Sequence, residues 1–537
     1  LAKKVQKIKR KNNNDNLYKS VKIAVPKKLL NNIKLDRLYE VDKAHADAVN
    51  AWIDKYYDRI DLAEKILSGT ATGIMQKDSV DVLLPAAYTQ VAGNKMLDIL
   101  RSHYLNVQDK IAADIWRDKD YTAEYKYVYA TFARSIKLFT RFINNNYSVE
   151  DIILTWKTGY LAKELYHQLS LEEKQSIPAV IHTSFCEIRE KWQKPVFTGG
   201  NIQLDYRVFS IAAADNSTHF NLWMDITTLV PHKRISIPFK LTSVKEKELT
   251  QHFPDWQTNK RKGTLVIRNR HIHLSIPVAK EKPDNVPEKY VGVDVGMLAP
   301  ISTDTGKQIG VGFTELVKED YDKYLTLQST RNKIRALKNQ AEKRLEITTN
   351  PITVEKLEKK ITQYNRHLSP NNWTELRNKI KSVVTTEIGR TVNILIKDIE
   401  PAETLVTMED LSDMNAKGVR RTRRGKFDLS NWARGELQRH LEEDITWHGG
   451  NIAYVVPEYT SQLCSHCSHL DENNRQGKIF KCLACGYTVD ADINAASNIK
   501  ERFFDTELQK LARKYNWNKE LRRKKIKELL LSRFKTA

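Results

Sequence analysis

The spacing of apolar residues changes along the chain, and each change marks a different kind of element. Ser20-Val-Lys-Ile-Ala-Val25 alternates apolar with polar and then meets Pro26, which predicts one strand closed by a breaker. From residue 35 to about 190 the chain is rich in Leu, Ala, Lys, Asp and Tyr and poor in glycine, and Ala112–Trp116 and Tyr125–Ile143 have helical spacing. Tyr125, Tyr127, Tyr129, Phe132 and Phe139 sit among lysines there. They can stack on bases or form the packed face of a helical bundle, and the packed face is the expectation. Between Val196 and Lys280 the period shortens to alternating runs, Phe220–Ile226, Arg234–Phe239, Thr264–Arg268 and His271–Pro277. These predict a small antiparallel barrel or sandwich, joined by the early strand at 20–25. Residues 318–398 are helical and charged again, with Val384, Ile388, Val392 and Leu395 forming a core-facing stripe.

Two later strands and one helix present acids. In Tyr290-Val-Gly-Val-Asp-Val-Gly296 the valines project to one side, while Gly292, Asp294 and Gly296 project to the other. Asp294 therefore stands between two residues without side chains, which leaves room for a metal ion and a sugar-phosphate backbone. Taken alone, an Asp that ends a strand before a turn is common. Thr404-Leu-Val-Thr-Met-Glu-Asp410 is a second strand ending in two acids, Glu409 and Asp410, and alternation does not choose between them. The third acid lies in Val489-Asp-Ala-Asp-Ile-Asn-Ala-Ala, which starts like a capped helix with Asp490 as N-cap. Asp492 precedes Ala495, Ala496 and Ile499 at helical spacing, so it shares the inward face, whereas Asp490 does not. Three such carboxylates can hold two divalent cations roughly 4 Å apart, an arrangement suited to phosphodiester hydrolysis.

Cysteine spacing adds a second metal site. Cys464-x2-Cys467 and Cys482-x2-Cys485 are two tight pairs, and paired knuckles turn four thiolates onto one tetrahedral zinc ion. Two copies at ribbon distance disfavour a redox motif, and five cysteines in 537 residues are no disulfide framework. The fifth, Cys186, lies in an apolar helical stretch and is expected to be a packed core thiol.

Charge then selects the partner. The chain carries 88 basic against 66 acidic residues, a formal +22, which suits a polyanion. Residues 1–22 have a net charge of +7 and residues 500–537 of +8, and the second run mixes its charges with apolar residues as an amphipathic helix does. No apolar run approaches membrane-spanning length, and the basic start lacks the apolar core of a secretory signal. Nucleic acid inside a cell is the expected partner.

At these residues the chain resembles a known family. The strand with Asp294, the strand with Glu409 and the Asp492-Ile-Asn-Ala-Ala helix resemble the three split motifs of a RuvC-type nuclease. A four-cysteine ribbon inserted just before the third motif, preceded by Pro457-Glu-Tyr-Thr-Ser-Gln-Leu-Cys464, is similar to the TnpB proteins of transposons and the compact type V CRISPR effectors. The resemblance is specific from about 289 to 500 and upstream rests on order of parts.

It implies a multidomain α+β chain with an RNaseH-like (RuvC) α/β nuclease core, an inserted zinc ribbon, a β-barrel wedge domain and a helical recognition lobe. The implied divisions are a basic arm and first wedge strand at 1–34, the recognition lobe at 35–190 and the wedge barrel at 191–288. The nuclease follows at 289–460 and 489–505, around the insert at 318–398 and the ribbon at 461–488, with a basic helix or tail at 506–537. The implied function is RNA-guided DNA cleavage in CRISPR defence or transposition. Asp294, Glu409 and Asp492 would be catalytic and hold two Mg2+, and Cys464, Cys467, Cys482 and Cys485 would hold one structural Zn2+. Guide RNA and target DNA are the implied partners, with a short flanking motif read by the protein in its front half, residues 1–280. The chain would act as a monomer or homodimer, without a membrane. Its place would be the cytoplasm of a prokaryote, or of the host of a phage encoding it, on the nucleoid when bound to DNA.

Three other readings compete. An actin-like ATPase also begins with a strand running into Asp-x-Gly, but it needs further glycine-rich phosphate loops, which are missing downstream. A guide-dependent protein that binds DNA without cutting would not need the three acids, and a strand-transferase would join ends. Finally, Arg420, Arg421, Arg423, Arg424 and Lys426 lie at the Gly418–Gly425 segment with no apolar stripe, which predicts an exposed mobile loop starting near Glu409. It is read either as a solubilising loop or as a basic flap that holds a nucleic-acid strand at the site.

Overall fold

The computed structural model describes residues 16–25, 30–73, 78–147, 160–214, 219–230, 233–252, 262–268, 271–283, 285–296, 299–313, 315–369, 371–411 and 429–536. The chain forms two compact units, Asn14–Glu281 and Lys282–Ala537.

The first unit begins with β1 (Asn16–Ala24). A run of helices follows: α1 (Asn32–Tyr56), α2 (Ala63–Ser68), α3 (Ala86–Asp114), α4 (Ala123–Arg134), α5 (Ile136–Ile143), α6 (Tyr160–Gln168) and α7 (Leu171–Lys191). Tyr125, Tyr129, Phe132 and Phe139 are fully buried and are core, whereas Tyr127 is half-buried. The helical spacing over Tyr125–Ile143 is carried by two helices. Ser135 has extended backbone (ψ 115) and its hydroxyl accepts from the Leu138 amide, which ends α4 and caps α5. Cys186 is exposed rather than packed, because α7 buries the face carrying Ile177, Ile181, Phe185 and Ile188 and leaves Cys186 outside it.

The rest of this unit is β2 (Asn201–Asp205), β3 (Phe209–Ala213), β4 (Leu222–Thr227), β5 (Arg234–Phe239), α8 (Ser243–His252), β6 (Lys262–Arg268) and β7 (His271–Glu281). The strands form two antiparallel sheets, β1-β7-β6-β2 and β3-β4-β5, linked by an isolated bridge from Ala24 to Lys240. Helices and sheets are tied at Gly200, whose amide donates to both oxygens of Asp42 at 2.8 Å. Gly199 and Gly200 have φ of 85° and 84°, a region open to glycine, and a Cβ on Gly199 would stand 2.8 Å from Asp42.

The second unit is built on a five-stranded sheet. Its elements are β8 (Lys289–Asp294), β9 (Ile301–Thr303), β10 (Gln308–Ile309), α9 (Glu315–Ile347), α10 (Pro351–His367), α11 (Asn371–Ile399), β11 (Thr404–Glu409), α12 (Leu429–Trp447) and β12 (Asn451–Val455). A small sheet follows, β13 (Arg475–Gln476), β14 (Ile479–Lys481) and β15 (Thr488–Asp490), and then α13 (Ala491–Phe504), α14 (Thr506–Lys514) and α15 (Lys519–Thr536). The main sheet has the order β10-β9-β8-β11-β12, with β11 parallel to both β8 and β12. One face packs Val293, Val406 and Met408 against Val384, Ile388 and Val392 of α11, together with α12, so the expected stripe of α11 is core. Side chains alternate, so Gly292 and Asp294 on β8, and Thr407 and Glu409 on β11, point to the opposite face. That face receives α13.

Helix α13 runs antiparallel to β8. Phe504 lies 4.9 Å from Tyr290 between ring centroids, Ala496 faces Gly292, and Asp492 approaches Gly296. Residues 290–296 of a strand and 492–504 of a helix both cover about 20 Å, so the two elements stay in step along the contact. The room at Gly292 is filled by this helix: a Cβ there would lie 2.1 Å from the Ala496 carbonyl oxygen. The expectation that Gly292 leaves space for a phosphate backbone is therefore corrected. The C-terminal basic run is two helices rather than one, turned at 515–518, where Asn518 accepts from the Leu521 amide and caps α15. Among the described residues no helix is long and apolar enough to cross a membrane.

Candidate active site and thiolate centre

Asp294 and Glu409 end neighbouring parallel strands, in a register that pairs Val293 with Met408. Strand spacing brings such ends about 4.8 Å apart. Both side chains face α13, and the crevice outside the carboxyl ends of parallel strands is where open α/β sheets hold ligands. Asp410, which the sequence left level with Glu409, is exposed, and its amide donates to Val455 in the sheet. Asp492 lies in the first turn of α13 at 6% exposure, and Asp490 caps the helix by accepting from the Asp492 and Ile493 amides.

The carboxylates feel one another. Burial first, then the charges of Glu409 and Asp492, push the Asp294 carboxyl up to about 7, against the pull of Arg475 and Arg434. Burial also raises Glu409, while the Thr460 hydroxyl, which donates to its Oε1, and the Arg502 guanidinium draw it back. Asp492 accepts from Arg475 Nη2 at 3.0 Å and pairs with Lys478 Nζ. Three carboxylates offer hard oxygen donors, the kind that suits magnesium. Among the described residues, however, only the four thiolates lie with all donor atoms within 4.8 Å of one another. The three carboxylates are not drawn that close, and Asp492 is engaged by two cations of the ribbon.

Thr460, Arg475, Lys478, Arg434 and Arg502 are the site neighbours that sequence reasoning missed. Thr460 lies within the Pro457–Cys464 stretch that leads into the ribbon, and Arg475 and Lys478 lie between the knuckles. Their roles come from contacts across the fold. Arg420, Arg421, Arg423, Arg424 and Lys426 lie outside the described residues.

The cysteines form a compact centre. Sγ atoms of Cys464 and Cys485 are 3.8 Å apart and those of Cys467 and Cys482 are 3.5 Å apart. A disulfide needs about 2.05 Å, whereas a tetrahedron of thiolates at about 2.3 Å from zinc has edges near 3.8 Å. The set fits zinc. Each knuckle turns back through a residue of positive φ, Ser468 at 59° and Gly486 at 73°, whose amides donate to Cys464 and Cys482 carbonyls at 3.0 Å. The Tyr487 amide leads in drawing the Cys485 thiol down to about 7.

Parts of the chain are similar to known proteins. Residues 435–499, which contain the thiolate centre and most of α12 and α13, match the family model described as Cas12f1-like, TNB domain. The chain is 41% identical over 95 residues to a CRISPR-associated endodeoxyribonuclease Cas12f1 of Sulfoacidibacillus thermotolerans, covering 18% of this chain and 21% of that protein. It is 30% identical over 167 residues to the putative RNA-guided DNA endonuclease InsQ of Escherichia coli K12, covering 27% and 41%. A TnpB-like protein of Aquifex aeolicus is 22% identical over 248 residues, covering 44% of this chain and 76% of its own. The chain thus spans less than half the length of the first two relatives. It is a relative of the TnpB proteins and the compact type V CRISPR effectors. The similarity to the Cas12f1-like model is confined to residues 435–499.

Proposed function

We propose that this chain is an RNA-guided DNA endonuclease that hydrolyses phosphodiester bonds at Asp294, Glu409 and Asp492. The observation that carries the proposal is that β8, β11 and α13 turn Asp294, Glu409 and Asp492 to one face, near enough for the charges of the other two to act on Asp294, at the carboxyl end of parallel strands and beside a four-thiolate ribbon. The sheet with its crossing α13 is read as an RNaseH-like core, the antiparallel sheets of the first unit as the wedge and its helices as the recognition lobe. Guide RNA and target DNA are the partners, by analogy with the relatives named as RNA-guided or CRISPR-associated endonucleases. The setting is the cytoplasm of a prokaryote.

Magnesium at the three carboxylates would supply activation of water and charge neutralisation at the leaving oxygen. The chain's own residues prepare the place. Burial and like charge hold Asp294 near neutrality until a cation offsets them, the Thr460 hydroxyl fixes one oxygen of Glu409, and Arg475 and Lys478 hold Asp492 while placing positive charge where a phosphodiester would lie. The thiolate centre, with four ligands, leaves no open position for substrate and is structural.

The test is to sequence the RNA that copurifies with the chain and to assay matched and unmatched DNA. Asp294→Ala and Asp492→Ala should abolish cutting of matched DNA while guide-dependent binding stays within a few-fold. Equal cutting of matched and unmatched DNA would overturn the guide, and full cutting by either variant would remove that acid from the site. Binding without cutting by the wild type would favour interference by occupancy, and joined ends would favour strand transfer.

A further inference from the structure

The loop from Val456 to Leu463 leaves β12 and enters the first knuckle, and it carries Thr460, the donor to Glu409. The residue before it, Tyr459, has φ of +66°. A bulky side chain reaches that left-handed conformation only at a cost, and it persists where the surroundings fix it. Helix α15 supplies the fixing from one side. Arg522 Nε donates to Glu458 Oε1 at 2.8 Å, and the two side chains are 4% and 5% exposed. Next to it, Arg523 Nε donates to the Tyr459 hydroxyl at 3.2 Å, with its guanidinium 5.3 Å from the ring centroid. Helix α13 supplies the other side. Arg502 donates to the Val456 and Glu458 carbonyls, and Asn498 Nδ2 donates to the Thr460 carbonyl at 2.8 Å.

A buried guanidinium in the first turn of a basic helix calls for a reason, since desolvation costs more than a surface pair returns. Pinning α15 to the ribbon is one, and the apolar contacts among Leu463, Leu508, Ile526 and Leu530 already do that. Tyr459 and Val456 pack against the same cluster, but apolar contact has no direction, and the directed bonds at the turn come from both arginines of α15, which grip the adjacent residues Glu458 and Tyr459. Glu458 depends on Arg522 in return, because its Oε2 has no hydrogen-bond partner among the described residues.

We infer that Arg522 is a positioning residue for the nuclease site: its pair with Glu458 holds the left-handed turn at Tyr459, and that turn sets the Thr460 hydroxyl on Glu409. The inference rests on the reading of Glu409 as a metal-holding carboxylate. Without Arg522 the turn relaxes, the hydroxyl leaves Glu409, and the carboxylate no longer meets a cation in one orientation.

The experiment uses full-length Arg522→Met, Thr460→Val and their double variant, with Mn2+ as the probe. Mn2+ affinity is measured on the purified protein, and cutting rate is measured separately against Mg2+ concentration. Each single variant should weaken Mn2+ binding about ten-fold, as loss of an outer partner of a metal ligand does, and the double should be no weaker than either single. Zinc content and guide-dependent DNA binding should stay at the wild-type level, and Thr460→Ser should restore Mn2+ affinity. If Arg522→Met loses zinc or helicity, the neutral pair Arg522→Met with Glu458→Gln takes its place. Wild-type Mn2+ affinity in the Arg522 variant, or additive losses in the double, overturns the inference. A wild type that binds Mn2+ through Asp294 but cuts no guided DNA overturns the nuclease reading instead, leaving the positioning role to be judged on Mn2+ affinity alone.

Discussion

Gly292 and Ala496 meet backbone to backbone, so closely that a Cβ on Gly292 would stand 2.1 Å from the Ala496 carbonyl oxygen and 2.9 Å from the Lys500 amide. Lys500 then reaches across to Asp304, whose other oxygen accepts the Gly292 amide at 2.9 Å. Strand β8 and helix α13, and with them Asp294 and Asp492, are locked at this point. Gly292→Ala should destabilise the second unit by about 3 kcal/mol or more, because the neighbour is backbone and cannot rotate aside. Chemical denaturation measures it, and a change below about 1 kcal/mol would mean that the two backbones move apart freely.

Removing zinc should unfold the ribbon before the sheet. Binding free energy on the order of 10 kcal/mol is linked to folding in small thiolate domains. Cys482→Ser or a chelator should therefore release the metal and lower the first thermal transition. Cutting should fall with it, since Arg475 and Lys478 of the ribbon hold Asp492. Elemental analysis that finds no zinc in the wild-type protein would remove the assignment.

His45 gives the first unit a pH dependence. It is fully buried on α1, both ring nitrogens lack a hydrogen-bond partner among the described residues, and burial, then Lys95, lowers it from 6.5 to about 4. The unfolded chain thus takes up the proton at higher pH than the folded one, so stability drops as pH falls from about 6.5 towards 4. The loss is on the order of 3 kcal/mol at the acid end. His45→Leu should flatten the pH dependence of unfolding in that window, and an unchanged slope would show that other groups carry it.

Changing Arg420, Arg421, Arg423 and Arg424 together to alanine should slow cutting more than it weakens guide-dependent binding. For every phosphate the altered segment no longer neutralises, the log–log salt dependence of binding should flatten by roughly one unit. Wild-type rate and salt slope would make the segment surface decoration.

What the sequence made legible is what short-range period encodes. The valines of β8, the stripe of α11 and the face of Asp492 all follow from spacing, and all lie where spacing puts them. The thiolate centre was legible because each knuckle is local. The choice of Glu409 over Asp410 needed the sheet, which buries one side of β11 under α13. Hidden altogether were contacts made across long separations. Arg522 and Glu458 are 64 residues apart and Lys500 and Asp304 are 196 apart, and nothing in a basic tail or a Thr-Asp-Thr-Gly turn announces a partner at that distance. The break at Ser135 was missed for the opposite reason: a local cap was overrun by strong apolar spacing on both sides.

The grip between Gly292 and Ala496 also limits how this chain can change in length. One residue inserted between Asp492 and Ala496 would turn the acid about 100° around the helix, away from the sheet. One residue inserted between Gly292 and Asp294 would carry the acid to the face packed by α11. The helices at 315–399 leave and re-enter the sheet between these fixed points, so they can lengthen or shorten without moving either acid. Variation in size belongs to the insertions, and two stretches of three and five residues must keep their count.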